Sequence, residues 1–385
     1  MATTPQVNIQ QVNLAARAAI LSQGIEMTQN IFSTTIANPG SANNVVNVVP
    51  RNVGLIKGFI VKVKGTIANA TGGGTAVALT NYNAANLLSQ IVFNDLNNNV
   101  RINTTGWHMN FVNTAKNRRV FGAAATIDSP IKYGSNFSKV IAAPATIADA
   151  GSGDVYMTYY VPLAYSDDDL RGSVYANVVN ATMNLQLTIN PTPVGAAANS
   201  TLSNVYSAAG GAGSFTSVTI DVYQVYLDQL PMGKNGPILP ILDLSTVYEL
   251  KNTALTGIVV SQDFPIPYSN FRDFLSTLLV YQNGTQMNSG TDVNYISLQS
   301  ANFTNILKVD PYVLALKSRN QIGDDFPPAT YYIDTRRKPI STIQYGNMQL
   351  NLNASLVNAN ASVLMGYEDF ALVNVVTGAG SLAAS

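Results

Sequence analysis

The 385-residue chain holds one histidine and one tryptophan, and they stand side by side. His108 lies in GWHMNFVNTAK, Gly106 to Lys116, and histidine is the side chain whose proton moves near neutral pH, so it is the first candidate for a general base. Such a base works with an oriented nucleophile or carboxylate, and this stretch has neither a serine nor an acid. Trp107, Phe111 and Ala115 recur every four residues. The segment therefore reads as a short helix with a buried stripe, and His108 as structural or merely exposed.

Other clusters fare no better as chemistry. SDDDLRG, Ser166 to Gly172, gathers Asp167, Asp168 and Asp169 and could attract a hard cation. It lacks the alternating ligands and distal Glu of an EF-hand, so a solvated loop is the expectation, with an ion at Asp167–Asp169 left open. GDDF at Gly323 matches the metal-binding aspartates of polymerases over only four residues and runs straight into two prolines. TGGGT (Thr71–Thr75) and GKNG (Gly233–Gly236) lack the spacing of a phosphate-cradling loop and read as turns. KNRR at Lys116 and DTRRKP at Asp334 read as charged faces or subunit contacts. With no cysteine, thiol chemistry and disulfides are excluded, and one histidine excludes multi-His metal sites. No catalytic, cofactor or metal site is expected.

Lys plus Arg and Asp plus Glu number 21 each, so no net field draws in nucleic acid, and no direct sequence-specific binding to it is expected. Hydrophobic residues make up 46%, but charged residues only 11%, against about 25% in ordinary soluble domains. A sparsely charged exterior keeps molecules apart poorly, which favours a surface buried against copies of the same chain. The N-terminus, MATTPQVNIQQVNL, lacks the basic-then-apolar layout of a signal peptide, and no uncharged apolar run approaches the ~20 residues of a bilayer crossing. The expectation is a soluble, intracellularly made chain of two domains.

The elements that would position these residues are mostly strands. Phe59, Val61 and Val63 alternate with Ile60, Lys62 and Lys64; Val155, Met157, Tyr159 and Val161 share a face, as do Leu185, Leu187 and Ile189. Such period-two patterns between Asn/Gly/Pro/Ser loops indicate an all-β sandwich. The pattern also repeats. VFND at Val92 pairs with VYQN at Val280, GWHMNFVNTAK at Gly106 with GTDVNYISLQSAN at Gly290, TYYVP at Thr158 with TYYID at Thr330, and MNLQL at Met183 with MQLNL at Met348. Four ordered matches imply two tandem copies of one β-fold, the first with longer loops.

Around the copies, Leu14, Ala18, Leu21, Ile25, Thr28 and Phe32 recur at three- and four-residue spacing and predict a helix over 14–32, in an arm whose only charges there are Arg17 and Glu26. This helix packs under its own domain, on a neighbouring subunit, or near lipid; Leu14, Arg17, Ala18, Leu21, Ile25 and Phe32 are its candidate contacts. Asn190 to Phe215 is a long Gly/Ala/Ser loop with little to bury, and Tyr226 to Leu250, with three prolines, joins the copies. DPYVLALKSRNQIG predicts a helix capped by Asp310 with Pro311 first. VTGAGSLAAS reads as a flexible tail.

The ordered segments VGLIKGFIVKV, GWHMNFVNTAK, DSPIKYG, VPLAYSDDDL, YLDQLPMGKNGPILPILDLST, NFTNILKVDP and IQYGNMQL strongly resemble the major capsid protein of tectivirus-type, membrane-containing double-stranded DNA bacteriophages. The resemblance covers about Asn52 to Tyr367. It implies an all-β chain of two tandem eight-stranded jelly rolls with an N-terminal helical arm (1–44), a first roll with long loops (45–244), a second roll (245–373) and a C-terminal tail (374–385). It further implies a pseudo-hexagonal homotrimer that tiles an icosahedral capsid around an internal membrane. Its partners would be its own copies, vertex (penton) and minor capsid proteins, and its place the virion shell, assembled in the bacterial cytoplasm. A viral spike or a receptor- or carbohydrate-binding β-protein is the alternative; it would gather Tyr or Trp in one loop set, whereas the tyrosines lie largely within strand patterns. A cupin-like enzyme fails for want of histidines.

Overall fold

Alternation of apolar and polar residues sets the strands. From Phe59 onward, odd positions of Leu55–Asn69 are buried and even ones half-buried, the expectation for a strand with one face on a core. The computed structural model describes residues 8–72, 74–80, 83–116, 143–177, 182–196, 203–234, 236–283, 290–301, 305–322 and 329–372. Asn117–Arg119 of the first basic cluster, the DSPIKYG and GDDF stretches and the C-terminal tail lie outside these residues.

The first set of strands is β1 (Ile25–Ala37), β2 (Val45–Val48), β3 (Leu55–Asn69), β4 (Leu88–Asn94), β5 (Val100–Thr104), β6 (Ser152–Pro162), β7 (Asn184–Ile189) and β8 (Gly213–Asp228). The second is β9 (Thr246–Thr256), β10 (Asp263–Pro267), β11 (Arg272–Gln282), β12 (Val293–Ser300), β13 (Leu307–Val309), β14 (Thr330–Asp334), β15 (Met348–Ala354) and β16 (Ser362–Leu372). In the first set the sheets run β1-β8-β3-β6 and β2-β7-β4-β5; in the second, β9-β16-β11-β14 and β10-β15-β12-β13. Adding eight to each label converts one order into the other, so the fold is duplicated in full. Each pair of sheets encloses its own core, one around Phe59, Phe93 and Phe215, the other around Tyr281, Leu298 and Leu352. This is the jelly-roll arrangement, twice.

The rolls are fused. Strand β5 pairs in parallel with β9 at Ile102↔Leu250 and Asn103↔Lys251, so one sheet continues from the first roll into the second. A helix follows the fifth strand of each roll: α2 (Gly106–Lys116) after β5 and, beyond a short turn α3 (Ile241–Leu244) in the connector, α4 (Pro311–Ile322) after β13. The Asp310 carboxylate accepts from the Val313 amide at 2.9 Å, the expected cap.

Two of the four sequence matches keep this register: TYYVP and TYYID fall in β6 and β14, MNLQL and MQLNL at β7 and β15. The other two do not. VFND lies at the end of β4 but VYQN at the end of β11, the equivalent of β3 in the second roll; and the counterpart of helix α2 is α4, whereas GTDVNYISLQSAN runs into β12. Short apolar-aromatic matches recur in any β-rich chain, and these two matched across non-equivalent elements.

The N-terminal helix also differs from the expected 14–32. Helix α1 spans Ile9–Gln23, capped by Asn8, whose Oδ1 accepts from the Gln10 amide at 3.0 Å. Gly24 ends it: its N–H reaches Ile20 O at 2.8 Å, and a Cβ there would sit 2.7 Å from that oxygen. Ile25, Thr28 and Phe32 then belong to β1, paired with β8 from Ile25↔Asp228 to Ala37↔Ser217. The β-branched run IFSTTI favours a strand once glycine has broken the helix.

The loop Asn190–Phe215, expected to bury little, contributes Val194, Val205 and Tyr206 to the core. Its segments Val194–Gly195 and Tyr206–Ser207 join Val77–Leu79 and Thr146–Ile147 in a four-stranded sheet woven from three long connections of the first roll. Gly73 of TGGGT and Asn235 of GKNG lie outside the described residues. On either side of them, the Gly72 and Gly74 amides donate to the Asp149 carboxylate, and Met232–Gly233 pairs antiparallel with Gly236–Pro237.

Candidate functional site

Helix α2 is a wedge between the rolls. Met109 and Val112 enter the first core, while Trp107, Phe111 and Ala115 pack on Leu278, Val280 and Tyr332 of the second roll. The Phe111 and Tyr332 rings meet edge-on with centroids 5.2 Å apart. Strand β11 is consequently buried on both faces: Leu279 and Tyr281 face their own core, Leu278 and Val280 face α2.

His108 is part of this wedge and is fully buried. Its Nδ1 shares a 2.6 Å hydrogen bond with Thr104 Oγ1, and its ring closes against Gly366 of β16, where a Cβ would lie 2.2 Å from Nε2. Burial lowers its pKa from 6.5 to about 3, so the imidazole is neutral. Buried, neutral and bonded to Thr104, the imidazole serves as packing between α2 and β16.

Charge is concentrated just beyond α2. Glu368 of β16 is fully buried; its carboxylate accepts from Lys116 Nζ at 3.0 Å, Arg336 Nε at 3.0 Å, the Tyr248 hydroxyl at 2.8 Å and the Ser276 hydroxyl at 2.9 Å. Burial alone would raise its pKa, but Arg336 and Lys116 outweigh burial and hold it at about 2. Lys116 also lies over the Tyr165 and Tyr248 rings, 4.4 and 4.3 Å from their centroids. Lys116 and Arg336, expected at charged faces or subunit contacts, are thus core ion-pair partners. In a chain with few charges they are used where two rolls meet. Sequence reading missed Glu368 itself. The signal was there: an acidic pair, Glu368 and Asp369, sits in the otherwise apolar strand SVLMGYEDFAL.

A second polar cluster ties α1 to the connector. Arg17 Nε donates to Asp243 Oδ2 at 2.6 Å and Asn13 Nδ2 to Asp243 Oδ1 at 2.9 Å. Asn13, Ala16 and Ile20 form the helix face turned inward. Among the expected contact residues, Leu14, Ala18, Leu21 and Ile25 are exposed, Phe32 packs against the first core, and Arg17 is engaged by Asp243. Ile9, Val12, Leu14 and Leu21 are exposed apolar residues of α1, but at 3.6 residues per turn they lie on different flanks of the helix rather than on one side.

The aspartate cluster is likewise taken up by cations: Asp169 holds Arg171 at 2.6 Å, and Asp167 accepts from the buried Lys57 at 2.9 Å, which Glu26 also binds at 2.6 Å. Among the described residues no group of three His, Cys, Asp or Glu is arranged for a metal. Asp167, Glu26 and Lys116 border a cavity of about 470 Å³ on the outer face of the β1-β8-β3-β6 sheet, with Ile60, Tyr160, Thr28 and Val225 in its wall. Tyr159, Tyr206, Tyr248, Tyr281 and Tyr332 are fully buried, so they supply no ligand platform.

Two jelly rolls fused side by side, with buried polar residues joining the blocks, define a protein of the double jelly-roll class. Comparison with known proteins agrees. Residues 3–230 match the P3 major capsid protein N-terminal family and residues 245–384 the P3 major capsid protein C-terminal family. Major capsid protein P3 of Enterobacteria phage PRD1 is 44% identical over 375 residues, covering 96% of this chain and 93% of its own. Among solved structures, the STIV MCP, from Sulfolobus Turreted Icosahedral Virus, shares the fold with a TM-score of 0.62 at 13% identity, over 91% of this chain and 97% of that one. PBCV-1 VP54 does so with a TM-score of 0.53 at 12% identity, over 90% and 94%. The chain belongs to the P3 major capsid protein family. Its role is structural rather than enzymatic, and its place is the capsid shell of a bacteriophage virion.

Proposed function

We propose that three copies form a pseudo-hexagonal capsomer and that these capsomers tile an icosahedral shell around an internal membrane, meeting vertex and minor capsid proteins at its special positions. The observation that carries this reading is the complete repetition of strand order in two rolls fused edge to edge through β5 and β9. Three such chains present six similar blocks, so a threefold object fits a sixfold lattice position. A closed ring also covers sheet edges that a lone β-protein must protect in other ways.

The exposed apolar side chains of α1, Ile9, Val12, Leu14 and Leu21, with the following Ile25, are the contacts offered to neighbouring capsomers or to lipid. Arg17, the helix's one cation, is held by Asp243, so attraction to lipid there would be apolar rather than ionic. Native mass measurement at micromolar concentration tests the capsomer and should give three chains; only monomer would overturn the reading. Electron micrographs of the concentrated protein should then show hexagonally packed capsomers or shells.

A further inference from the structure

Among the described residues, the contact that α2 makes with the second roll has no counterpart at α4. The two helices that follow the fifth strands share a register, fixed by a hydrogen bond in each roll. Asn113 Nδ2 donates to Tyr160 O at 2.6 Å, and Ser318 Oγ donates to Tyr332 O at 2.8 Å. Tyr160 and Tyr332 are the third residues of TYYVP and TYYID, in the equivalent strands β6 and β14. With Asn113 matched to Ser318, Met109 falls on Leu314, and each of these enters its own roll's core. Trp107 then falls on Tyr312 and Phe111 on Leu316. Trp107 and Phe111, covered by the second roll, are 2% and 1% exposed; Tyr312 and Leu316 are 73% and 60% exposed.

The receiving face has a counterpart too. In the second roll, Leu278 pairs with Tyr332 and Val280 with Thr330; in the first, Ile60 pairs with Tyr160 and Lys62 with Thr158. Ile60 and Tyr160 therefore occupy the places of Leu278 and Tyr332, the residues on which Phe111 rests. They sit in the wall of the 470 Å³ cavity, beside Val225 and Thr28.

We infer that the Tyr312–Leu316 face of α4 docks on Ile60 and Tyr160 of a second copy of this chain, repeating between chains the contact that α2 makes within one. This deepens the capsomer reading and rests on it. The contact is head-to-tail: each chain offers α4 and receives a neighbour's α4 on its first roll, so a ring closes when the turns sum to a circle. The face differs from its internal template in a way that suits a chain soluble before assembly. Lys62, half-buried and 3.9 Å from Asp221, stands where the template has Val280, and Tyr312 brings a hydroxyl where it has Trp107.

Leu316→Asp tests the inference by placing a carboxylate on the docking face. The variant should keep the far-UV circular dichroism and thermal midpoint of the wild type but associate at least ~30-fold more weakly, the loss of one hot-spot side chain. A folded variant as oligomeric as the wild type overturns the inference and leaves the capsomer reading standing, whereas a monomeric wild type overturns that reading itself. The chain has no cysteine, so Tyr160→Cys with Leu316→Cys gives an independent measurement if the charged variant fails to fold. Oxidation should link chains into dimers and trimers that neither single variant forms; intact oligomers without such links overturn the docking.

Discussion

Lys116 Nζ, at the end of a helix of the first roll, lies 3.0 Å from the fully buried Glu368 carboxylate in a strand of the second. The rolls are thus locked by charge as well as by the Trp107–Phe111 wedge. Removing one member of a buried pair leaves its partner uncompensated, so Glu368→Gln should lower the unfolding free energy by about 3–5 kcal/mol. Lys116→Met added to Glu368→Gln should recover part of that loss, since one stranded cation disappears. Chemical denaturation of the two variants measures both numbers.

His108 makes stability depend on pH in a calculable direction. Burial lowers its pKa from 6.5 to about 3, so between these values the unfolded chain binds a proton that the folded chain refuses. Its contribution is fully present above pH 6.5 and is lost as pH falls toward 3. The difference in unfolding free energy between the wild type and His108→Gln should therefore shift against the wild type by about 1.4 kcal/mol per pH unit across that window, and be flat above it. A constant difference from pH 7 to pH 4 would show that His108 titrates normally.

Gly366 leaves the space that the His108 ring fills; an added methyl would lie 2.2 Å from Nε2. Gly366→Ala should cost about 1–3 kcal/mol as the wedge is pushed off the strand. His108→Ala with Gly366→Ala should cost less than the sum of the single changes, because the smaller side chain vacates the disputed volume. A double-mutant cycle by thermal unfolding gives the coupling.

What the sequence made legible was governed by local period. The alternation of Phe59, Val61 and Val63 is a property of neighbours, and so is the Asp310–Pro311 start of α4; both survive in the fold. The α1–β1 boundary was hidden because Leu14, Leu21, Ile25 and Phe32 happen to keep helical spacing across Gly24, where the backbone changes from helix to strand. The pairs Lys116–Glu368 and Arg17–Asp243 were invisible for a different reason. Each joins residues that become neighbours only after the two rolls and the connector have taken their places, and no spacing rule links them.

Asp243 anchors α1 through Asn13 and Arg17. Asp243→Ala should free the helix without unfolding the rolls, because the helix's inward face offers only Ala16 and Ile20 as apolar contacts. Loss of the charge-assisted bonds should ease local opening by about 2 kcal/mol. Amide exchange across residues 12–22 should then accelerate, with protection in β3 and β8 unchanged. Unaltered exchange in α1 would mean that its docking is independent of Asp243.

Two truncations separate the helix from the strand that follows it. Removing residues 1–23 takes away α1 but not β1, and should leave folded trimers that form shells poorly, because the exposed apolar side chains of the helix are gone. Removing residues 1–32 also strips β1 from Ile25 to Phe32, a stretch paired with β8 between Asp228 and Val222, and deletes Glu26, which binds the buried Lys57 at 2.6 Å. That leaves an edge of β8 unpaired and a buried cation with one partner fewer, so the longer truncation should lose thermal stability and aggregate. Soluble yield and unfolding midpoint compare the two folds, and particle counts in micrographs compare assembly. Equal stability would show that the first half of β1 adds little to the roll; normal particles from the shorter truncation would remove α1 from shell formation.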